Sequence, residues 1–206
     1  MSLNIVSPNK RQQQKADTRA SLLGAAHDCF AQRGFVATQI GDIARRAGVA
    51  HGTFYVHFDS KEAAADELLT AFNAELVGKL ENAWPAEVEP RTAARALATV
   101  CLDHWRAERG LVAAFAERAG IDGSLAGLRD GISPPIVAFL AGRLRTLAGD
   151  GLPDAELVAH GLLGLWTRVG LQFLFGNTPR ERAIDTLAAM SVGALSAVIP
   201  ALQPKG

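Results

Sequence analysis

Apolar residues recur at helical spacing along almost the whole chain, and this pattern limits the fold more than any other feature does. Alanine and leucine are abundant, and no segment shows the strict alternation of apolar and polar residues that marks a half-buried strand. Hydrophobic residues make up 49% of the 206 residues, which is enough to bury a sizeable core at this length. The sequence therefore predicts an all-α protein with about nine helices.

The first helices can be placed from residues that favour helix ends. Residues 1–16 are polar and predict a flexible basic arm, after which Asp17 is expected to cap a helix that ends near Arg33. Gly34 stands where a left-handed residue commonly closes a helix. Thr38 is expected to cap a short second helix over residues 39–47.

The stretch from Thr38 to Lys61 has the pattern of a helix-turn-helix, because two short helical segments are joined by a turn at Gly48. Apolar positions that include Ile43 and Phe54 can hold the pair against the first helix. The outward residues of the second segment are short or form hydrogen bonds: His51, Gly52, Thr53, Tyr55 and His57. A helix that reads base edges in the major groove needs such a surface.

The flanks of this stretch suit contact with a phosphate backbone. Thr38 and Lys61 begin helices, where free N–H groups and the helix dipole favour anions. Further basic or hydrogen-bonding residues there are Arg45, Arg46, Tyr55 and His57. The same pattern also fits a three-helix bundle whose third helix is merely solvated, so the spacing alone leaves both interpretations open.

A longer signature surrounds the helix-turn-helix. Its positions are Thr18-Arg19, Ala25-Ala26, Phe30, Gly34-Phe35, Thr38, Ile43-Ala44, Ala47-Gly48-Val49, Gly52-Thr53-Phe54-Tyr55, His57-Phe58 and Ser60-Lys61-Glu62. This set resembles the N-terminal domain of the TetR (tetracycline repressor) family over residues 18–62. The family usually places Ser, Thr or Asn where this chain has Ala50, so the recognition helix lacks a side-chain cap worth about 1 kcal/mol.

The resemblance implies a dimeric, ligand-responsive transcriptional regulator, most often a repressor, that binds a palindromic double-stranded DNA operator. It implies a DNA-binding domain over residues 17–62 and a domain for ligand binding and dimerisation over residues 63–206. The recognition helix would span Ala50 to His57, with base contacts from His51, Gly52 and Thr53. Phosphate contacts would come from Thr38, Gln39, Tyr55, His57 and Lys61.

The last two long helical segments are expected to form a homodimer interface. The segment 157–176 is long enough to span a membrane, but His160, Arg168 and Gln172 interrupt it, so an interface or core helix is the preferred interpretation and no membrane is expected. Small residues would let helices approach closely: Gly161, Gly164, Gly170, Ala188, Ala189, Gly193, Ala194 and Ala197. A monomer with both helices in its core is the alternative.

Bulky and polar residues of the second domain suggest a pocket for a small, largely apolar or aromatic effector. The candidate lining residues are Cys101, His104, Trp105, Phe115, Phe139, Trp166 and Phe173. For each aromatic residue, ordinary core packing is the preferred interpretation and pocket lining is the alternative. Neither the sequence nor the resemblance identifies the effector.

The balance of charged residues and the small number of reactive side chains limit the classes of function that this sequence fits. The 21 Lys+Arg balance 21 Asp+Glu, which excludes a protein that coats polyanions indiscriminately. Residues 1–62 nevertheless hold eight basic against five acidic side chains, as suits a domain that contacts phosphates. No catalytic residues, metal site or cofactor are expected, and two cysteines fit a reducing cytoplasm. A helical binder or enzyme without DNA binding, or a protein-interaction module, remains an alternative.

Overall fold

The computed structural model describes residues 10–84, 89–122, 134–149, 152 and 154–199. Within these ranges no residue lies in a strand, and the predicted all-α fold is confirmed. The nine described helices are α1 (Lys10–Arg33), α2 (Ile40–Arg46), α3 (His51–His57), α4 (Lys61–Ala83), α5 (Pro90–Ala107), α6 (Arg109–Asp122), α7 (Pro134–Ala148), α8 (Ala155–Phe175) and α9 (Arg180–Val198).

Helix α1 begins seven residues before the predicted start, so the prediction that Asp17 caps it was wrong. The added turns are rich in Lys and Gln, which are good helix formers. Asp17 lies inside the helix, where its carboxylate accepts a hydrogen bond from Gln13 Nε2 at 2.9 Å and its carbonyl accepts one from Ser21. Residues 10–16 of the predicted arm are therefore helical, and residues 1–9 lie outside the described residues.

The described chain packs as two compact units. The first contains residues 10–68 and 110–121, and the second contains residues 69–109 and the described residues from 122 onward. The first unit therefore joins α1, α2, α3 and the start of α4 to most of α6.

The core of the first unit explains why its short helices are stable. Leu22 and Phe30 of α1, Ile43 of α2 and Phe54 of α3 are 1% exposed or less. The ring of Phe35 lies 5.5 Å from that of Phe30 and covers the same core. Helices as short as α2 and α3 are marginal alone, so burial of these side chains, at about 1.5–3 kcal/mol each, determines their position.

Two glycines set the turns that connect the first three helices. Gly34 has a φ of 81°, and its N–H donates to the Phe30 carbonyl at 2.9 Å, so the predicted left-handed end of α1 is confirmed. Gly48 has a φ of 71° between α2 and α3, a conformation that other residues rarely adopt.

Thr38 does not cap α2, and this prediction was wrong. The N-cap is Gln39, whose backbone N–H donates to the Asp42 carboxylate at 3.3 Å. The Thr38 side chain is buried, and its hydroxyl donates to the Gly34 carbonyl at 2.7 Å. Thr38 therefore closes the loop between α1 and α2 from the inside.

Helix α6 contacts the first helices within the first unit. The Glu117 carboxylate accepts hydrogen bonds from the backbone N–H groups of Phe35 (2.7 Å) and Val36 (3.3 Å). A Cβ at Gly110 would lie 3.0 Å from both the carbonyl carbon and the Cα of Ala31. Only glycine permits this approach of the two helix backbones, so α6 is part of the support of the helix-turn-helix.

The second unit has two apolar clusters. In the larger one, Leu76, Leu80, Ile136, Ala141 and Leu162 come from α4, α7 and α8. In the smaller one, residues of α5 meet residues of α9: Ala98, Leu102, Ala183, Ile184 and Leu187. Ion pairs border this second cluster, among them Arg180–Asp103 at 2.6 Å and Arg95–Glu181 at 2.6 Å.

One face of α8 and α9 is exposed and apolar. On α8, Leu157 is 68% exposed, and Cβ atoms added at Gly161 and Gly164 would meet nothing within 4 Å. On α9, Met190 is 46% exposed and Gly193 is similarly open. Helix α8 has the length and hydropathy of a membrane-crossing helix, as core and interface helices also can, but its exposed residues include His160, Arg168 and Gln172.

Candidate nucleic-acid interface and ligand cavity

The outward face of α3 carries the predicted base-reading residues. His51 and Gly52 are exposed, Thr53 is half-buried, and Tyr55 is 51% exposed. The rings of His51 and Tyr55 lie 5.7 Å apart with edge-to-face geometry, so they form one hydrogen-bonding surface one turn apart. Ala50 is the N-cap and provides no side-chain hydrogen bond, as the sequence predicted.

The inward face of α3 holds this surface in place. Phe54 is fully buried and its ring lies 5.5 Å from that of Phe58. The Arg19 guanidinium lies 4.2 Å above the Phe58 ring, donates to the His57 carbonyl and pairs with Glu67. Arg19 therefore connects α1, the end of α3 and the start of α4. Arg19 belongs to the family signature, but the sequence assigned it no contact, because its partners lie 38 and 48 residues away.

His57 is half-buried at the end of α3, and its Nδ1 has no hydrogen-bond partner among the described residues. Burial lowers the pKa of His57, and the positive charges of Lys15 and Arg19 lower it further. The ring is therefore neutral at pH 7 and offers a hydrogen bond rather than a charge.

The ammonium group of Lys61 bonds to the protein itself. Its Nζ donates to the carbonyls of Phe35 at 2.8 Å and Thr38 at 2.9 Å, and it lies 4.3 Å above the Phe35 ring. Both groups already bond to the protein, so the predicted phosphate contacts of the Thr38 and Lys61 side chains would compete with these bonds. Gln39, by contrast, is exposed at the start of α2.

The two arginines of α2 differ in how they are held. Arg46 donates to the Asp28 carboxylate from Nε (2.9 Å) and from Nη2 (2.7 Å), so its guanidinium is fixed on α1. Arg45 contacts Asp42 at 3.1 Å, but its side chain is 74% exposed. Arg45 therefore remains accessible to an anion.

Residues 22–68 match the family model described as bacterial regulatory proteins, tetR family. The chain carries a TetR-family DNA-binding domain. The matched span contains the end of α1, the whole helix-turn-helix and the start of α4, which are the elements that position the exposed face of α3.

Several named relatives of this chain are described as repressors. The HTH-type transcriptional repressor KstR2 of Rhodococcus jostii is 38% identical over 101 residues, which cover 49% of this chain and 50% of the relative. KstR2 of Mycobacterium tuberculosis is 50% identical over 54 residues, 26% of this chain and 27% of the relative. The matched part of the chain thus spans half or less of these relatives' length.

The similarity of this chain to solved structures extends beyond the DNA-binding domain. A tetR-family transcriptional regulator from Streptomyces coelicolor superimposes with a TM-score of 0.72 at 18% identity, covering 91% of this chain and 88% of that one. At such identity the likeness concerns the fold alone.

The second unit of the chain encloses a cavity of about 260 Å³. Cys101, Trp105, Phe139 and Trp166, four of the seven predicted pocket residues, line it. The other three do not. His104 is buried beside Phe72, Phe115 belongs to α6 in the first unit, and Phe173 packs against the α5–α9 cluster.

The sequence prediction missed the contribution of α4 to this cavity. Asn73, Leu76 and Leu80 line it from one face of that helix, and Trp84 lines it from the position after the helix end. Their spacing of three and four residues was a readable signal, because such residues share a helix face. Thr167 and Ser191 add polar groups from α8 and α9, and the Ser191 hydroxyl accepts a hydrogen bond from Trp166 Nε1 at 2.8 Å.

His104 lies outside this cavity. Its Nε2 is 3.2 Å from the Phe72 carbonyl and its Nδ1 is 3.0 Å from Lys79 Nζ, so a neutral ring donates to the first and accepts from the second. Burial lowers the pKa of His104, and the charge of Lys79 lowers it further. Glu75, 4.0 Å from Nδ1, and Glu108 oppose this shift.

The described part of the chain contains neither a cluster of metal ligands nor a reactive thiol at Cys101. No group of three or more His, Cys, Asp or Glu residues there could hold a metal ion. Burial raises the pKa of the Cys101 thiol to about 12, so this thiol is protonated and unreactive at neutral pH. The carboxylate of Asp28, which precedes Cys29 in the sequence, accepts a hydrogen bond from the Arg46 guanidinium.

Proposed function

We propose that this protein is a sequence-specific, DNA-binding transcriptional repressor that works as a cytoplasmic homodimer and is released from its operator by a small molecule. The observation that carries this proposal is the exposed hydrogen-bonding face of α3. His51, Gly52 and Tyr55 point outward from a helix whose inner side is fixed by Phe54 and Phe58. The repressor names of the relatives that share this domain support it.

The contacts with DNA divide between bases and phosphates. His51 and Thr53 can donate to or accept from base edges, and Gly52 allows the helix to approach them closely. Tyr55, His57 and Gln39 contact phosphates with neutral groups. Arg45 takes the charged phosphate contact that the sequence analysis assigned to Lys61, because Arg45 is the more accessible of the two.

The dimer forms through the exposed face of α8 and α9. Leu157 and Met190 would be covered, and Gly161, Gly164 and Gly193 leave room for a partner helix. Gly170 and Ala188, also predicted at the interface, are instead buried within the subunit. Two recognition helices fixed in this way would read two half-sites, which is why we propose a palindromic operator.

The effector binds in the cavity of the second unit. A ligand releases the operator only if it binds the DNA-free conformation better than the DNA-bound one. We therefore expect effector and operator to weaken each other's binding by the same factor.

Duplex selection from a random pool, followed by titration of the selected duplex at fixed salt, tests the proposal. Tyr55→Ala should weaken binding about tenfold or more, since it removes a contact without removing core. Tyr55→Phe, which keeps the ring, isolates the hydroxyl. His51→Ala should relax the preference at one position of each half-site more than it lowers binding to unrelated duplexes. If neither variant changes binding although both fold, the role of this face is wrong.

A helical small-molecule binder that does not bind DNA is the second candidate, and the cavity favours it. Failure to enrich any sequence from the random pool would support that function over the first.

A further inference from the structure

We propose that a groove between the N-terminal turns of α1 and the end of α3 binds a phosphate of the DNA backbone, and that Lys15 supplies the charge for this contact. The contact rests on the proposed function and adds to it a residue from the segment that the sequence predicted to be a flexible arm.

The groove lies within the first unit and has a volume of about 340 Å³. Val56 and His57 line it from the end of α3. Val56 is 66% exposed and lies one turn after Gly52, so the groove borders the outward face of α3. The lining residues from α1 are three or four positions apart and share one face of that helix: Gln12, Lys15, Ala16 and Arg19.

Lys15 is an accessible cation in this groove. The residue is exposed, and within the described part of the chain its ammonium group has no hydrogen bond or ion pair. Arg19 is already engaged, because it donates to the His57 carbonyl and pairs with Glu67. Lys15 is close enough to His57 for its charge to lower the pKa of that ring. An anion that enters the groove therefore meets an ammonium group that the protein does not neutralise.

The N-terminal turns of α1 carry only positive charge. Residues 10–16 contain three basic side chains and no acidic one, and the next residue, Asp17, accepts a hydrogen bond from Gln13. Basic side chains in a first turn oppose the helix dipole, so these charges do not stabilise the helix itself. They do favour a polyanion, because each phosphate that a protein neutralises releases counterions from DNA.

The position of the groove beside α3 determines which anion can reach it. When a recognition helix lies in the major groove, the residues around it meet the backbones that border that groove. Lys15 is therefore placed to contact a phosphate while α3 reads base edges. Such a contact fixes the position of the protein on the duplex and carries no sequence information.

Titration of the full-length protein with two duplexes over a range of salt concentrations tests the contact. One duplex is selected from the random pool, and the other is unrelated to it. Lys15→Met should reduce the slope of log K against log salt by about 2 in a dimer, because each protomer loses one phosphate contact. Over an about fourfold rise in salt, the affinity of the variant should therefore fall about tenfold less than that of the wild-type protein. Both duplexes should show the same change.

Lys10→Met is the matched control. Lys10 is an exposed lysine of the same helix, and helical spacing places it on the side opposite the groove. This variant should leave the slope nearly unchanged. Thermal unfolding of both variants establishes that they fold.

The position of Lys15 can be tested without DNA. Lys15→Met should raise the pKa of His57, measured by NMR titration of its ring, more than Lys10→Met does. Arg19, whose charge also acts on this ring, is present in both variants. An equal His57 pKa in the two variants would contradict the geometry of the groove.

Three results with DNA would overturn the phosphate contact: an unchanged slope for Lys15→Met, an equal reduction for Lys10→Met, or an effect confined to one duplex. A protein that selects an operator but keeps its slope in Lys15→Met retains the proposed function and loses this contact. One that selects no sequence, yet shows the reduced slope with the unrelated duplex, keeps the contact and loses the sequence-specific function. If neither duplex binds, both fail.

Discussion

The position of Lys61 allows a test that separates a structural lysine from one that contacts DNA. Its ammonium group donates to two backbone carbonyls, of Phe35 and Thr38, and lies above the Phe35 ring. Hydrogen bonds from a charged donor contribute about 1.5–3 kcal/mol each, and a cation–π contact at a partly exposed site about 0.5–1 kcal/mol. Because Lys61 is half-exposed, we expect Lys61→Met to lower the free energy of unfolding by about 2 kcal/mol in total.

Urea unfolding measures this loss directly. With a slope of about 1–3 kcal/mol per molar urea, the midpoint should fall by about 1 M. The salt dependence of operator binding should stay unchanged, since a lysine that bonds to carbonyls releases no counterions from DNA.

Arg45→Met is the matched control because it is expected to give the opposite result. The side chain is 74% exposed and its ion pair with Asp42 contributes about 0–1 kcal/mol, so stability should change little. Loss of one phosphate contact per protomer should reduce the slope of log K against log salt by about 2 in a dimer. A reduced slope with an unchanged urea midpoint for Lys61→Met would refute our interpretation of that residue.

Three further changes test other parts of the structure. Gly110→Ala should destabilise the protein by about 1–3 kcal/mol because its Cβ would collide with the Ala31 backbone. Gly120→Ala, in the same helix, has open space around its Cβ and should not destabilise it. Equal unfolding midpoints for the two variants would contradict this packing. Ala194→Glu should shift sedimentation towards monomer, whereas Ala138→Glu, at an exposed position of α7, should not. An intact Ala194→Glu dimer would exclude this interface. The lowered pKa of His104 means that the unfolded chain binds a proton more readily. Stability should therefore be full above about pH 6.5 and decrease as the pH falls below it, an effect that His104→Gln should reduce in urea titrations.

The sequence predicted the elements whose signals are local. Helical spacing predicted the all-α fold, and Gly34 predicted the end of α1. A helix end with positive φ strongly favours glycine at a single position, so one residue is enough to indicate it. The start of α1 was missed because Asp17 suits a cap and a helix interior alike, and the choice depended on the helix-forming residues before it.

The role of Lys61 could not be predicted because it depends on residues distant in sequence, and that of Thr38 could not because it depends on how the loop after Gly34 folds. A lysine at a helix start looks the same in sequence whether it faces solvent or a loop. Here the path of the loop at Phe35, 26 residues earlier, brings two carbonyls to its Nζ. The cavity raised the same difficulty, since an aromatic residue on an apolar helix face lines a cavity or fills a core according to its neighbours.

The aromatic residues that absorb in the near ultraviolet are divided between the two sites. The chain has one tyrosine, Tyr55, which lies on the exposed face of α3. Its three tryptophans, Trp84, Trp105 and Trp166, all line the cavity. Biosynthetic fluorination of tyrosine would therefore give a single resonance from the DNA-facing surface, and fluorination of tryptophan would give three from the cavity. The order in which the two sites respond to an effector can be followed by NMR without adding a label elsewhere in the protein.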